Sequence, residues 1–372
     1  MFARNDRSVL GQWWWSVDRG MLLILLTIIA IGVILSFSAS PALATQLGLS
    51  RFYFVKRHLL FLMPSLCMIV GVSLCNHVQI RKLSFVLLII ASALLVMTPF
   101  WGMEIKGAKR WITLGGMSVQ ISEFIKPLFA IMTGWLLAKQ QQNPDIYPGL
   151  ALSIGLLLFL ITCFMMQPDL GMTIILVGSW FVQIFVAGLP YIWIVVLLGL
   201  IPVVFLPVYL LFPHVSYRIH MFLSKQDEQY QVMKSLQAIA KGGLTGVGPG
   251  EGVIKKYVPD AHADFIFAVI GEEFGIIFCM VIIALYMSFL IRSALRITNA
   301  QSFFAMVTAS GLLAQLSMQT LINISSSLGM IPTKGMTLPF ISYGGSSLLA
   351  LALSCGMLLS LTKKDVPGGG LL

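Results

Sequence analysis

The sequence predicts an all-α, polytopic membrane protein of about ten transmembrane helices with one large extracytoplasmic loop. Three observations carry this reading. Hydrophobic residues make up 58% of the 372 and charged residues 10%, with a mean hydropathy of +0.92, which excludes an ordinary soluble globule. Apolar runs of roughly 17–22 residues recur, each long enough to cross a bilayer core. One long polar stretch, 213–263, separates two of these runs. The chain reads as one integral membrane domain, 1–372.

At the N-terminus Arg4, Arg7 and Arg19 surround Trp13-Trp14-Trp15, a head-group anchoring pattern. The first run, Met21 to Phe37, precedes Ala42-Leu43-Ala44, which resembles a signal-peptide cleavage site. The length of the run and the many spans that follow make it a retained helix. Further spans are expected near 59–74, 83–100, 124–137, 149–166, 172–186, 193–212, 265–291, 303–324 and 344–361. Ten spans put both termini on one side and the linkers 101–122, 213–263 and 325–343 on the other. Arg81-Lys82, Arg292 with Arg296, and Lys363-Lys364 flank their spans closely and place the termini in the cytoplasm once the long loop is discounted. The formal charge of +10 points to anionic partners, lipid head groups or a phosphorylated substrate. The cations form no basic domain, so no nucleic acid is expected. Cys67, Cys75, Cys163, Cys279 and Cys355 lie singly, without disulfide or metal-ligand spacing, and read as small core hydrophobes.

Several polar clusters interrupt this apolar chain. The window 258–273 gathers His262 with Asp260, Asp264, Glu272 and Glu273, a concentration in a chain with 14 acids. Asp264 stands where a glycine-rich loop enters an apolar run, and the positive end of a helix tolerates a carboxylate there. Glu272 and Glu273 lie deeper and would be costly without partners. Lys106-Gly107-Ala108-Lys109-Arg110-Trp111, followed by Gly115-Gly116, either holds a phosphate through charge and a planar fork or anchors in head groups. Ser122 is placed to cap a helix, with Glu123 and Lys126 sharing a face behind it. That ion pair is either a structural staple or part of a site. Gln167-Pro168-Asp169-Leu170-Gly171 links two spans tightly. A hairpin explains its proline and glycine but not Asp169 near membrane depth. The length from Asn323 through Lys334-Gly335 to Ser347 reads as non-helical backbone lining a cavity, or as a flexible re-entrant loop.

Taken together and in order, these motifs resemble the SEDS family (shape, elongation, division and sporulation) over nearly the whole chain. Lys106 to Trp111, Ser122-Glu123 with Lys126, Gln167 to Gly171, His262 with Asp264 to Val269 and Glu272-Glu273, and Pro339 to Ser347 carry the likeness. Gly335 to Phe340 and Ser38-Ala39-Ser40 are more similar to the division branch than to the elongation branch. The resemblance implies a peptidoglycan glycosyltransferase that polymerises lipid II at the division septum, in the bacterial cytoplasmic membrane. It further implies a catalytic face outside the cytoplasm, a class B penicillin-binding transpeptidase as partner, and other divisome membrane proteins nearby. It makes Asp264 the catalytic aspartate and assigns substrate binding to Lys109, Arg110, Trp111, Glu123, Lys126, Asp169, His262 and Ser342. One departure is Ala263, where the family usually has threonine; a hydroxyl that orients or caps is missing.

The chemistry follows from that substrate class. An α-linked lipid diphosphate donor and a β-linked polymer require inversion by one in-line displacement. Such a step needs a base at the acceptor hydroxyl and positive charge at the departing diphosphate. Asp264 is the expected base. Arg110, Lys126 and Lys109 are the expected cations, with Glu123 orienting Lys126. A divalent cation, Mg or Mn, would suit an aspartate sharing diphosphate oxygens, although no all-protein metal cage is visible. The rival classes are a lipid II flippase, against which stand the lack of a visible inverted repeat and the clustering of polar signatures on one side, and a non-catalytic division scaffold, which needs no acid at position 264.

Overall fold

The computed structural model describes residues 8–105, 108–114, 117–188, 199, 210, 216, 228–300 and 302–364. The expected span 193–212, apart from Gly199 and Leu210, lies outside them, as do Arg4, Arg7, Lys106-Gly107, Gly115-Gly116 and the C-terminal tail. In chain order the helices are α1 (Val9–Ser16), α2 (Arg19–Gln46), α3 (Tyr53–Leu74), α4 (His77–Trp101), α5 (Ile121–Gln142), α6 (Gly149–Met166), α7 (Leu170–Val186), α8 (Glu228–Gly242), α9 (Ile266–Ile297), α10 (Phe303–Ser327) and α11 (Gly345–Leu361). Among the described residues seven helices are long and apolar enough to cross a membrane, and α7 and α11 are shorter apolar helices. The protein is a multi-pass membrane protein.

Polar content decides which helix takes the centre. α5 is among the least apolar of the spans, yet most of its length is buried inside the protein, whereas the more apolar α4 is largely exposed. A helix carrying Glu123 and Lys126 must face protein rather than lipid. α5 accordingly packs against α4, α6, α7, α10 and α11, while α11 also runs along α3.

The two chain ends meet on one side, as expected: the Lys364 amide donates to the Ser16 carbonyl at 2.9 Å. There the buried Asp18 caps α2 through the Met21 amide at 2.8 Å and receives Arg292 at 2.6 Å and Arg296. Burial pushes the Asp18 carboxyl up, but the two arginines and the Met21 amide pull harder and leave it at about 2. Trp13 is not simply an interfacial anchor, because its indole N–H donates to Ser73 of α3 at 2.8 Å.

The opposite side holds a feature that spacing did not reveal. The linker after α4 forms an antiparallel sheet of β1 (Met103–Ile105), β2 (Ala108–Leu114) and β3 (Met117–Val119), in the order β1-β2-β3. Glu104 stands opposite Lys109, and Ile112 opposite Val119. α10 also runs further than expected, to Ser327, so Asn323 is helical and the non-helical stretch begins only at Leu328.

Candidate active site

Asp264 lies in a turn just ahead of α9, whose N-cap is Phe265. The side chain is half-buried. Several hydrogen bonds hold the backbone of this short segment. The Asp264 amide donates to the Asp260 carbonyl at 3.0 Å, and the Tyr343 amide donates to the His262 carbonyl at 3.0 Å. The Ser342 hydroxyl donates to the Ala263 carbonyl at 2.5 Å. Asn323 donates from one amide nitrogen to the carbonyls of Asp264, at 2.9 Å, and Met336, at 2.6 Å. Ser342 therefore acts on backbone, and it also accepts the Leu338 amide at 2.8 Å. His262 is buried with its ring against Phe54 and Tyr343, at centroid distances of 4.8 and 5.4 Å.

Beside the Asp264 carboxylate is Gly335, whose φ of +63° is left-handed and whose added Cβ would stand 3.5 Å from Oδ2. Glycine thus leaves both the backbone and the space open. Lys334 precedes it, half-buried. An added Cβ at Gly171, at the start of α7, would lie 3.9 Å from the Lys334 carbonyl and 3.8 Å from Asp169 Oδ1. The Gln-Pro-Asp link and the Lys334-Gly335 loop therefore converge on the same place.

Asp169 is explained by position: it is the N-cap of α7 and accepts the Met172 amide at 3.3 Å. Gln120 donates to its other oxygen at 3.3 Å. Burial pushes the Asp169 carboxyl above the ordinary range, against the pull of the Arg110 charge and the Met172 amide. Arg110 reaches over from β2 and donates to the carbonyls of Gln167, at 3.0 Å, and Pro168. Its hydrogen bonds go to neutral carbonyl oxygens, so they fix the guanidinium without cancelling its charge. The β1 pairing slips here, with Trp111 opposite Met103 but Lys109 opposite Glu104, so Arg110 stands at an irregularity where simple alternation does not hold, and Lys109 is exposed. The structure does not bring Lys109 to Arg110.

Lys126 is placed differently from the expected leaving-group cation. It is buried, with its ammonium 2.7 Å from Glu123 and 2.8 Å from Gln319 Oε1. Ser122 does not cap α5; Gln120 is the N-cap position, and the Ser122 hydroxyl is buried without a partner among the described residues. Gln315, Gln319 and Asn323 recur every fourth residue, so they line one face of α10 about 6 Å apart. Gln315 donates to the Lys126 carbonyl at 2.7 Å, and Gln319 donates to Thr337 at 3.2 Å. This amide ladder connects the Glu123–Lys126 pair to the backbone of Asp264. A cavity of about 10 Å³ lies among Glu123, Lys126, Gln315, Gln319 and Ser354, about the room of one water. Three amides at helical spacing inside an apolar span were the signal for this ladder.

Among the described residues no three His, Cys, Asp or Glu side chains gather to hold a metal ion. No such cluster includes Asp264, so an ion there would need a ligand to supply the remaining oxygens.

The FtsW/RodA/SpoVE family model, described as cell cycle protein, matches residues 18–366. A probable peptidoglycan glycosyltransferase FtsW of Caulobacter vibrioides is 39% identical over 365 residues, covering 98% of this chain and 93% of that one. Stage V sporulation protein E of Bacillus subtilis is 34% identical, covering 94% and 97%. Among solved structures, a chain from a peptidoglycan synthase complex that coordinates polymerization and crosslinking is 25% identical, with TM-score 0.77 and coverage of 94% and 98%. The rod shape determining protein RodA of Thermus thermophilus is 25% identical, with TM-score 0.69 and coverage of 94% and 97%.

Proposed function

This chain belongs to the FtsW/RodA/SpoVE, or SEDS, family, and from that premise we propose that it polymerises lipid II into glycan strands for cell division. The observation that carries the site is the half-buried carboxylate of Asp264 on a backbone held by Asn323, Ser342, Tyr343 and the Asp260 turn, beside Gly335. In this reading Asp264 takes the proton from the acceptor hydroxyl as that oxygen attacks the anomeric carbon. The bond to the diphosphate breaks on the opposite face. Arg110, held on the carbonyls of Gln167 and Pro168, neutralises the departing charge. Lys126 acts through Gln319 as a positioning residue, and so does Ser342 through the Ala263 carbonyl. Were a divalent cation, Mg or Mn, to take part, Asp264 would be the residue to hold it, and it would supply further positive charge for the departing diphosphate.

The finer setting belongs to the same proposal. The site faces outward from the bacterial cytoplasmic membrane at the septum, beside a class B penicillin-binding transpeptidase and other divisome membrane proteins. Span parity and the cations flanking the terminal side support that orientation. The test is glycan formation from labelled lipid II with the transpeptidase present. Asp264→Asn should lower turnover by about 10²–10⁴-fold. Equal polymer yield would reopen the flippase and scaffold readings.

A further inference from the structure

We infer that Glu272, Glu273 and Lys255 form a clasp that positions Asp264 without touching substrate, an inference that rests on the polymerase reading above. Glu272 and Glu273 are fully buried on α9 at 0% and 1% exposure, where an ionised side chain is tolerated only with complete pairing. The pairing is complete on the Glu272 side. One carboxylate oxygen accepts the amides of Val253 and Ile254 at 2.8 and 2.7 Å, and the other accepts the Lys255 amide at 2.7 Å. These amides open the 3-10 turn Ile254–Tyr257, so the carboxylate sits at its positive end. Glu273 pairs with the buried Lys255 ammonium, which also donates to the Ser38 carbonyl of α2 at 2.9 Å.

The backbones are joined as well. The Val247 and Gly248 amides donate to the Glu272 and Glu273 carbonyls at 3.0 Å each, and the Ile276 and Ile277 amides donate back to Gly243 and Leu244. The exchange is possible because α9 is interrupted at Gly275, with φ 79° and ψ 176°. Only glycine takes that conformation readily, and an added Cβ would stand 2.3 Å from the Leu244 carbonyl.

Asp264 lies on the arc between the two halves of this clasp. From Lys255 the chain climbs through the 3-10 turn and the Asp260 turn to Asp264, then enters α9 and returns to Glu272 about 9 Å of helix later. Asn323, Ser342 and Tyr343 hold the arc from one side; the clasp fixes where both of its feet stand. Three buried charges set the register of the incoming chain, which apolar packing alone would leave free to slide. A displacement of about 1 Å at a reacting group is enough to lower turnover about 10²-fold.

The experiment measures kcat and KM for lipid II in Glu272→Gln and in the double variant Lys255→Met/Glu273→Gln, each scored per folded molecule by size exclusion and thermal melting in detergent. The double variant removes both partners of the ion pair together, so it leaves no unpaired charge behind. The expected result is a tenfold or greater fall in kcat with KM within twofold, in protein that still folds. If Glu272→Gln fails to insert, the double variant is read by the same criteria. Wild-type kcat in either folded variant, or equal changes in kcat and KM, would overturn the positioning role. Wild-type protein runs in parallel: absence of polymer there counts against the polymerase reading, whereas wild-type polymer with an unaffected variant counts against the clasp alone.

Discussion

The two ends of the bundle use arginine in opposite ways. At the end where the chain termini meet, Asp18 draws Arg292 and Arg296 into ion pairs, and its carboxylate offsets one of their two charges. At the other end Arg110 is held equally firmly, but on the neutral carbonyls of Gln167 and Pro168. A cation held that way is ordered in advance and keeps its charge for a ligand. The comparison teaches that an ion pair fastens a structure, while a cation fixed by dipoles is prepared for an incoming anion. Lys126 falls on the fastening side of this distinction, because Glu123 and Gln319 occupy it inside the bundle.

The largest expected effect is on stability. Lys126→Met leaves Glu123 buried and unpaired, which should cost about 3–5 kcal/mol. The double variant Glu123→Gln/Lys126→Met should recover most of it, as read from unfolding midpoints in detergent. A double variant no more stable than the single one would show that Lys126 is held by something other than the pair.

Next comes Arg110→Met, which removes the prepared charge and should lower kcat by about 10²-fold. Arg110→Lys keeps a charge but loses the fork that grips two carbonyls at once, so it should fall between. Steady-state polymerisation rates decide. If Arg110→Met loses stability but not turnover, the contrast between the two ends disappears.

The third prediction concerns pH at the terminal end. Asp18 is lowered from 3.8 to about 2 on folding, so its contribution is fully present above the unfolded value. It is lost as pH falls through the folded one. The gap in melting temperature between wild type and Asp18→Asn should be constant above about pH 4 and close progressively toward about pH 2. A gap that widens on acidification would contradict the assignment.

Much of this was legible in the sequence, and the exceptions share a cause. Spans could be read because run length is a local property. Asp264, Asp169 and Arg110 stood out because polar residues are conspicuous in an apolar chain. The sheet at 103–119 was not legible, since its strands are as short as three residues and only cross-strand pairing identifies them. The end of α10 was misjudged because Asn323 and the serines after it resemble a loop. Asn323 instead donates across the bundle to the Asp264 and Met336 carbonyls, and Ser327 bonds back to the Asn323 carbonyl of its own helix. The partners of Glu272 and Glu273 were hidden for a similar reason: Lys255 lies in a different element, and only folding brings it across.

The smallest expected effect tests the one departure in the catalytic segment. Ala263 is half-buried, and its carbonyl is already held by Ser342, so Ala263→Thr should change kcat by less than about fivefold, the scale of a neutral hydrogen bond. A severe loss would show that the segment has repacked around the methyl group.

The central claim is that the Asp264 carboxylate serves chemistry while the Asp18 carboxylate at the other end serves stability. It is tested most directly by measuring polymerisation rate per folded molecule for Asp264→Asn and Asp18→Asn together, alongside their melting temperatures. The account predicts a crossed result. Asp264→Asn should melt close to wild type with turnover reduced by about 10²–10⁴-fold, while Asp18→Asn should melt lower with turnover per folded molecule unchanged. Parallel losses of both properties in both variants would contradict it.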